Sequence, residues 1–122
     1  MGTPPLVEAD IKDGRRVSDA VRKAIPVRRA FWAYFVGPEE WRLVIVTSLV
    51  DSQGPIAAYD TLQRAIPAGT LPLRRVTVLG PSDSLVKRLA STPRSEGAVT
   101  ITSSAGSTAS GSVDSIYFYP KV

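Results

Sequence analysis

The side chains that could do chemistry in this chain are carboxylates, hydroxyls and guanidinium groups, because its 122 residues include neither His nor Cys. His and Cys supply most proton transfer near neutral pH, most thiol nucleophiles and most transition-metal ligands. Their joint absence leaves the 11 carboxylates, paired or with magnesium, as the main enzymatic chemistry. A binding role is therefore favoured over an enzymatic one.

Two short motifs come closest to an enzymatic signature. Residues 39–42, Glu-Glu-Trp-Arg, are similar to the acid-x-base element of a nuclease strand, but an arginine replaces the usual lysine and the preceding strand offers no aspartate. Ser84 and Lys87 have the spacing of a Ser-x-x-Lys nucleophile pair, but the companion motifs are missing. Neither motif completes a site, so the sequence predicts no catalytic residue, no metal ligand and no cofactor.

A small-ligand site is one binding hypothesis, at two loops that each leave a strand and enter a helix. Residues 51–55 and 80–84 both supply hydroxyls, backbone amides and a carboxylate. If their strands are parallel neighbours, the loops share the carboxyl edge of the sheet, where open α/β sheets usually bind ligands. The candidate ligand-binding residues are Asp51, Ser52, Gly80, Ser82 and Asp83. The structural alternative is that Ser82 or Asp83 caps a helix and that Gly54 and Gly80 permit sharp turns.

A basic nucleic-acid-binding domain is another hypothesis, since 15 basic and 11 acidic groups give a net charge of +4. The candidate phosphate-binding residues are three arginine pairs: Arg15 and Arg16, Arg28 and Arg29, and Arg74 and Arg75. If the pairs share one face they can track phosphates, and Trp32, Tyr34 or Trp41 can stack bases beside them. The alternative is that the arginines serve solubility and helix dipoles while the aromatic residues lie in the core.

The function that the sequence favours is a non-catalytic domain that binds a protein partner or a second copy of itself. Strands that are apolar on both faces can bury surface in such a contact, as can the aromatic segment 116–119. Helices that cover both faces would leave little of this surface for a partner. The nucleic-acid-binding domain is the alternative, and a magnesium-dependent hydrolase is a weaker alternative.

The candidate site residues are expected to lie in a single α+β domain over residues 1–122. Residues 1–7 are expected to form a loosely ordered N-terminal segment. The expected order is α-β-β-α-β-α-β-β, with a mixed five-stranded sheet and about three helices. Helices are expected at 13–25, from 55 to 66 and after 84, and strands at 27–36, 41–49, 73–79, 97–102 and 113–119. Residues 103–112 are expected to form a loop. Helical connections on both sides of the third strand predict at least one parallel strand pair.

The first hairpin and the first two helices carry more detailed expectations. The first two strands form a hairpin around residues 37–40, with apolar residues on both faces, so the hairpin should lie inside the sheet. Asp10 or Asp13 is the expected N-cap of the first helix. Pro55 is expected in the first turn of the second helix, whose inward stripe is Ile56, Tyr59, Leu62 and Ile66.

Three segments, 13–17 (Asp-Gly-Arg-Arg-Val), 41–45 (Trp-Arg-Leu-Val-Ile) and 49–51 (Leu-Val-Asp), resemble small bacterial proteins of unknown function. The resemblance covers about the first half of the chain and implies a bacterial cytoplasmic origin, but no activity. No apolar run approaches membrane-spanning length, and the first residues lack a signal-peptide pattern. The sequence therefore predicts a cytoplasmic protein that does not enter the membrane.

Overall fold

The computed structural model describes residues 6–67, 69–83, 85–87, 97–99, 107–108 and 111–118. In chain order the elements are helix α1 (Glu8–Ala24), strands β1 (Arg29–Phe35) and β2 (Glu40–Val46), helices α2 (Leu49–Gln53) and α3 (Pro55–Ala65), a 3₁₀ turn (Leu73–Arg75), and strands β3 (Val76–Leu79), β4 (Gly97–Val99), β5 (Ser107–Thr108) and β6 (Gly111–Phe118). Residues 85–87 are also helical. Among the helices of this part of the chain, none combines the length and the apolar composition of a membrane span.

The strands form a mixed sheet in the order β3-β2-β1-β6-β4, with β5 paired to β6. β2 and β3 run parallel, with Leu43 beside Val76, whereas β1 pairs antiparallel with both β2 and β6. α2 and α3 lie between the two parallel strands in the chain, as a crossover that restores the strand direction requires. The α+β class, the parallel pair and the interior position of the hairpin are confirmed, while β5 lies in a segment predicted to be a loop.

An apolar cluster lies on each face of the sheet because successive strand residues point to opposite sides. Phe31 of β1 belongs to one cluster, together with Leu85 from the helical residues after β3. Trp32 belongs to the other, where Val17 of α1 and Leu62 of α3 pack against the sheet. Burial of side chains of this size stabilises the fold by about 1.5–3 kcal/mol each.

Helix α1 begins earlier than the sequence pattern predicts, and neither aspartate is its N-cap. Val7 precedes the helix in an extended conformation and makes no side-chain cap hydrogen bond. Asp10 and Asp13 both lie inside α1, and the carboxylate of Asp10 accepts a hydrogen bond from Arg75 at 3.1 Å instead. Acidic residues in the first turn are still favoured there, because they oppose the positive end of the helix dipole.

The expected inward stripe of the second helix is corrected at Ile56. Pro55 occupies the first turn of α3 as expected. Ile56, however, is 85% exposed, whereas Ala58 and Leu62 are fully buried. Ala58 and Leu62 lie four residues apart and therefore share one face of the helix. Tyr59 is partly buried beside this stripe.

Two predicted strands are shorter than expected because helical turns occupy their ends. The strand predicted at 73–79 begins as the 3₁₀ turn, in which the N–H of Arg75 donates to the carbonyl of Pro72 at 3.0 Å. The strand predicted at 41–49 ends at Val46, and Leu49 begins α2. The parts of other predictions that fall on residues 1–5, 89, 100–106, 109–110 and 119 lie outside the described residues.

Candidate functional site

Two connections leave the carboxyl ends of the parallel strands β2 and β3 at the same edge of the sheet. The ladder continues just beyond β2, because the N–H of Thr47 donates to the carbonyl of Leu79 at 3.0 Å. On the other side of β2, the N–H of Arg28 donates to the carbonyl of Val46 at 2.8 Å. The start of β1 therefore lies at the same place, which is called the carboxyl edge below.

The connection after β2 is the short helix α2, not the loop predicted at 51–55. The hydroxyl oxygen of Thr47 accepts the N–H of Leu49 at 3.2 Å as the helix begins. Gly54 ends α2 with a φ of +88°, a conformation that favours glycine. The sharp turn predicted at Gly54 is thus confirmed, but Asp51 and Ser52 lie on a helix.

Ser82 and Asp83 have different roles in the connection after β3. The hydroxyl of Ser82 donates to Oδ1 of Asp51 at 2.8 Å and so ties this connection to α2. The Asp83 carboxylate accepts the N–H of Leu85 at 2.9 Å, and its carbonyl accepts the N–H of Lys87 at 3.0 Å. Of the two capping residues considered, Asp83 therefore caps the helical turn that follows.

Gly80 begins a sharp turn, but its glycine is explained by a close approach rather than by an unusual φ. Its φ is not among the positive values found in the described chain, which belong to Glu39, Gly54 and Gly69. A Cβ at Gly80 would collide with Oδ1 of Asp51 and lie 3.3 Å from Cγ1 of Val50. The turn predicted at Gly80 is present, because the carbonyl of Gly80 accepts the N–H of Asp83 at 3.0 Å, and the missing side chain makes room for the Asp51 carboxylate.

Replacement of Gly80 by Ala is expected to lower the free energy of unfolding by about 1–2 kcal/mol, because the new methyl must displace the Asp51 carboxylate. Gly37→Ala is the matched control, since a Cβ there meets nothing within 4 Å. We expect that control to stay within about 0.5 kcal/mol of the wild type. Urea denaturation of the two variants tests this, and equal stabilities would contradict the close approach.

Two depressions lie at the carboxyl edge, and the connection after β3 supplies Gly80, Ser82 and Asp83 to one and Pro81 to the other. The carboxylate cleft, of about 470 Å³, is lined by Val50, Asp51, Pro55, Tyr59, Val78, Leu79, Gly80, Ser82 and Asp83. The basic pocket, of about 420 Å³, is lined by Arg28, Arg29, Val46, Pro81, Val86 and Lys87. The structure thus brings together Asp51, Gly80, Ser82 and Asp83 as the sequence suggested, whereas the described lining of the cleft does not include Ser52.

Tyr59 is a residue of the carboxylate cleft that the site hypothesis missed. Its hydroxyl oxygen accepts the N–H of Val78 at 3.1 Å. Val78 belongs to β3, which ends the strand order on that side of the sheet. This N–H is therefore already satisfied within the domain. The sequence signal was present, since Tyr59 was expected to face inward from α3.

The three arginine pairs of the nucleic-acid hypothesis lie in different parts of the fold. Arg28 and Arg29 line the basic pocket, Arg15 and Arg16 lie on α1, and Arg74 and Arg75 lie in the 3₁₀ turn. The 3₁₀ turn precedes β3, whereas the basic pocket lies where β2 and β3 end. The structure therefore gathers only one of the pairs at the carboxyl edge.

The aromatic residues of that hypothesis are not placed beside the basic pocket. Trp32 is completely buried, with the Arg75 guanidinium 5.4 Å from its ring centre. Tyr34 and Trp41 contact each other edge to face at 5.7 Å. They lie next to the hairpin turn, at the opposite end of β1 from Arg29. A base stacked on them would therefore be far from the pocket.

Lys87 is the functional candidate that the sequence could not place. The sequence pattern singled it out for its spacing from Ser84, but the structure places it in the lining of the basic pocket with Arg28 and Arg29. The usable signal was local: Asp83 is a capping residue, and Lys87 follows it by one helical turn. Its neighbours across the pocket depend on strand order, which the local pattern does not specify.

The remaining motifs carry no chemistry that the described residues complete. In the segment 39–42, the Arg42 guanidinium is paired with Glu40 at 2.8 Å, and Ser84 lies outside the described residues. No group of three or more His, Cys, Asp or Glu in that part of the chain could hold a metal ion. Comparisons with protein-family models, curated proteins and solved structures give no match. Function must therefore be inferred from the geometry of the carboxyl edge.

Proposed function

We propose that this chain is a non-catalytic binding domain, and that it binds a protein partner or a second copy of itself through the carboxyl edge. The observation that carries the proposal is the basic pocket, in which Arg28, Arg29 and Lys87 surround one depression. Concave sites that combine apolar walls with a few convergent polar groups are the usual form of a binding site. A bacterial cytoplasm is the proposed setting, on the resemblance of the first half to small bacterial proteins.

Association by strand addition at β3 has less support than binding at the carboxyl edge. Strand addition requires a row of free N–H and C=O groups along an edge strand. In β3 the N–H of Val78 already donates to Tyr59, and all four β3 residues are buried. A partner is therefore expected to use side chains at the end of the strands rather than backbone groups along β3.

The nucleic-acid alternative is less well supported because its parts are separated. Nonspecific binding of a strand needs cations along a continuous track and aromatic rings exposed for stacking. Trp32 is inaccessible, and Arg75 is already bonded to the carbonyl of Trp41 and the carboxylate of Asp10. These observations favour a discrete acidic group over an extended polyanion.

Two measurements on the wild-type chain test the proposal. Tagged protein is used for pull-down from the lysate of its native host with and without nuclease, and purified protein is examined by sedimentation velocity over a range of concentrations. We expect either a protein partner whose capture survives nuclease or a mass that rises with concentration. Recovery of nuclease-sensitive nucleic acid alone, from a chain that stays monomeric, would contradict the proposal.

A further inference from the structure

We propose that the basic pocket holds carboxylates from an acidic segment of a protein partner, an inference that rests on the proposed function. Its cations come from two separate parts of the chain. Arg28 and Arg29 stand at the beginning of β1, and Lys87 follows β3 in the helical turn capped by Asp83. None of the described residues that line the pocket is acidic, so the lining itself places no negative charge against an incoming carboxylate.

Hydrogen bonds hold the backbone from which two of the cationic side chains extend. The N–H of Arg28 donates to Val46, and that of Lys87 donates to Asp83. The side chains of Arg28 and Lys87 are exposed, so they can contact a ligand without any change in the core. A guanidinium group also presents donors in a planar fork that matches the two oxygens of a carboxylate. The pocket is therefore suited to an anion whose charge is carried on small, planar groups.

The rest of the lining specifies what should lie beside the carboxylate. Val46, Pro81 and Val86 supply an apolar wall, and Val46 and Val86 are almost fully buried. An aliphatic side chain next to an acidic one would pack on the accessible part of this wall, chiefly the half-buried Pro81, while the carboxylate meets the cations. The expected partner segment therefore alternates acidic and aliphatic residues. A sugar-phosphate backbone offers no aliphatic side chain for that wall.

The test uses the full chain and a short fluorescein-labelled peptide of alternating glutamate and leucine, with binding followed by fluorescence anisotropy at low salt. The variants Arg28→Ala and Lys87→Ala should each weaken binding by about three- to fivefold, and the double variant by about tenfold or more. Arg74→Ala is the matched control, because Arg74 is also exposed but lies outside the pocket. Its affinity should stay within about twofold of the wild type.

Two further probes separate the charge of the peptide from its apolar side chains. The same peptide with glutamine in place of glutamate should not bind, whereas a peptide of glutamate and serine should bind more weakly. A single-stranded oligothymidylate of equal charge should bind less tightly than the glutamate–leucine peptide. Denaturation midpoints of the alanine variants should match that of the wild type, since both replacements keep the backbone hydrogen bonds.

In the binding titrations, three outcomes would overturn the inference: no binding of the glutamate–leucine peptide, an equal loss in Arg74→Ala, or tighter binding of the oligothymidylate. The partner pull-down separates these from failure of the proposed function. If the Arg28→Ala/Lys87→Ala variant still captures the partner, the inference is wrong and the proposed function stands. The proposed function itself fails only if the wild-type chain neither captures a protein nor self-associates.

Discussion

Replacement of Trp32 by Ala is expected to lower the free energy of unfolding by about 3–5 kcal/mol. Trp32 is completely buried in the interior strand β1, where Leu43 and Tyr117 are its neighbours on the adjoining strands. Its ring fills the space between the sheet and the residues that α1 and α3 bury. Truncation would leave a cavity there that rigid strands on both sides cannot close. Chemical denaturation of the purified variant measures the loss.

Trp41→Ala is the matched control for that experiment. Trp41 lies on β2 and is only partly buried, with Tyr34 against its edge, so its loss should cost about 1–2 kcal/mol. Because a domain of this size has a total stability of about 5–15 kcal/mol, a loss at the upper end of the expected range leaves too little folded Trp32→Ala protein to titrate if the wild type is of low stability. Trp32→Phe should then still fold and be intermediate in stability. Equal costs for the two alanine variants would show that Trp32 is not the larger core contact.

The hairpin could be predicted because the information that specifies it is local. Apolar residues on both faces of 31–36 are typical of a strand covered on both sides, and the turn chemistry of 37–40 separates it from its partner. A shift of one residue would exchange the two faces, so the pattern also determines which side each residue occupies. Phe31 and Trp32 accordingly lie in different apolar clusters.

The carboxyl edge could be predicted only in part, since its members meet through strand order. Asp51 and Ser82 could be placed together on the condition that their strands run parallel, and β2 and β3 do. Arg28 and Lys87 face one pocket only because β1, β2 and β3 are adjacent in that order. Hydrophobic periodicity does not specify the order of strands. The basic pocket therefore could not be predicted from local sequence patterns.

The sequence also could not show that two adjacent residues of the same type have different roles. Arg74 and Arg75 were treated as one basic pair, yet Arg74 is exposed and Arg75 is partly buried. The Arg75 side chain is only 21% exposed, and it links the 3₁₀ turn to Asp10 of α1 and to Trp41 of β2. A 3₁₀ turn rotates successive side chains by about a third of a circle. Adjacent arginines can therefore have unrelated roles, and composition alone gives no sign of it.

Arg75→Ala is accordingly expected to lower the free energy of unfolding by about 2–3 kcal/mol. The Arg75 guanidinium donates to the carbonyl of Trp41 at 2.9 Å and to the carboxylate of Asp10 at 3.1 Å. It also lies 5.4 Å from the ring centre of Trp32, a contact that favours a cation. Its removal leaves a part-buried carbonyl and carboxylate without their donor. Guanidinium-chloride and urea denaturation both measure the change. Urea is uncharged and therefore does not screen the ion pair between Arg75 and Asp10.

Arg74→Ala is the control, because it removes the same side chain from the preceding, exposed position. We expect it to change stability by no more than about 0.5 kcal/mol. Arg75→Lys should recover only part of the loss, since an ammonium group cannot hold the carbonyl of Trp41 and the carboxylate of Asp10 with the planar fork of a guanidinium. Equal effects at positions 74 and 75 would mean that Arg75 acts through charge alone, and full recovery by lysine would show that the fork geometry is unimportant.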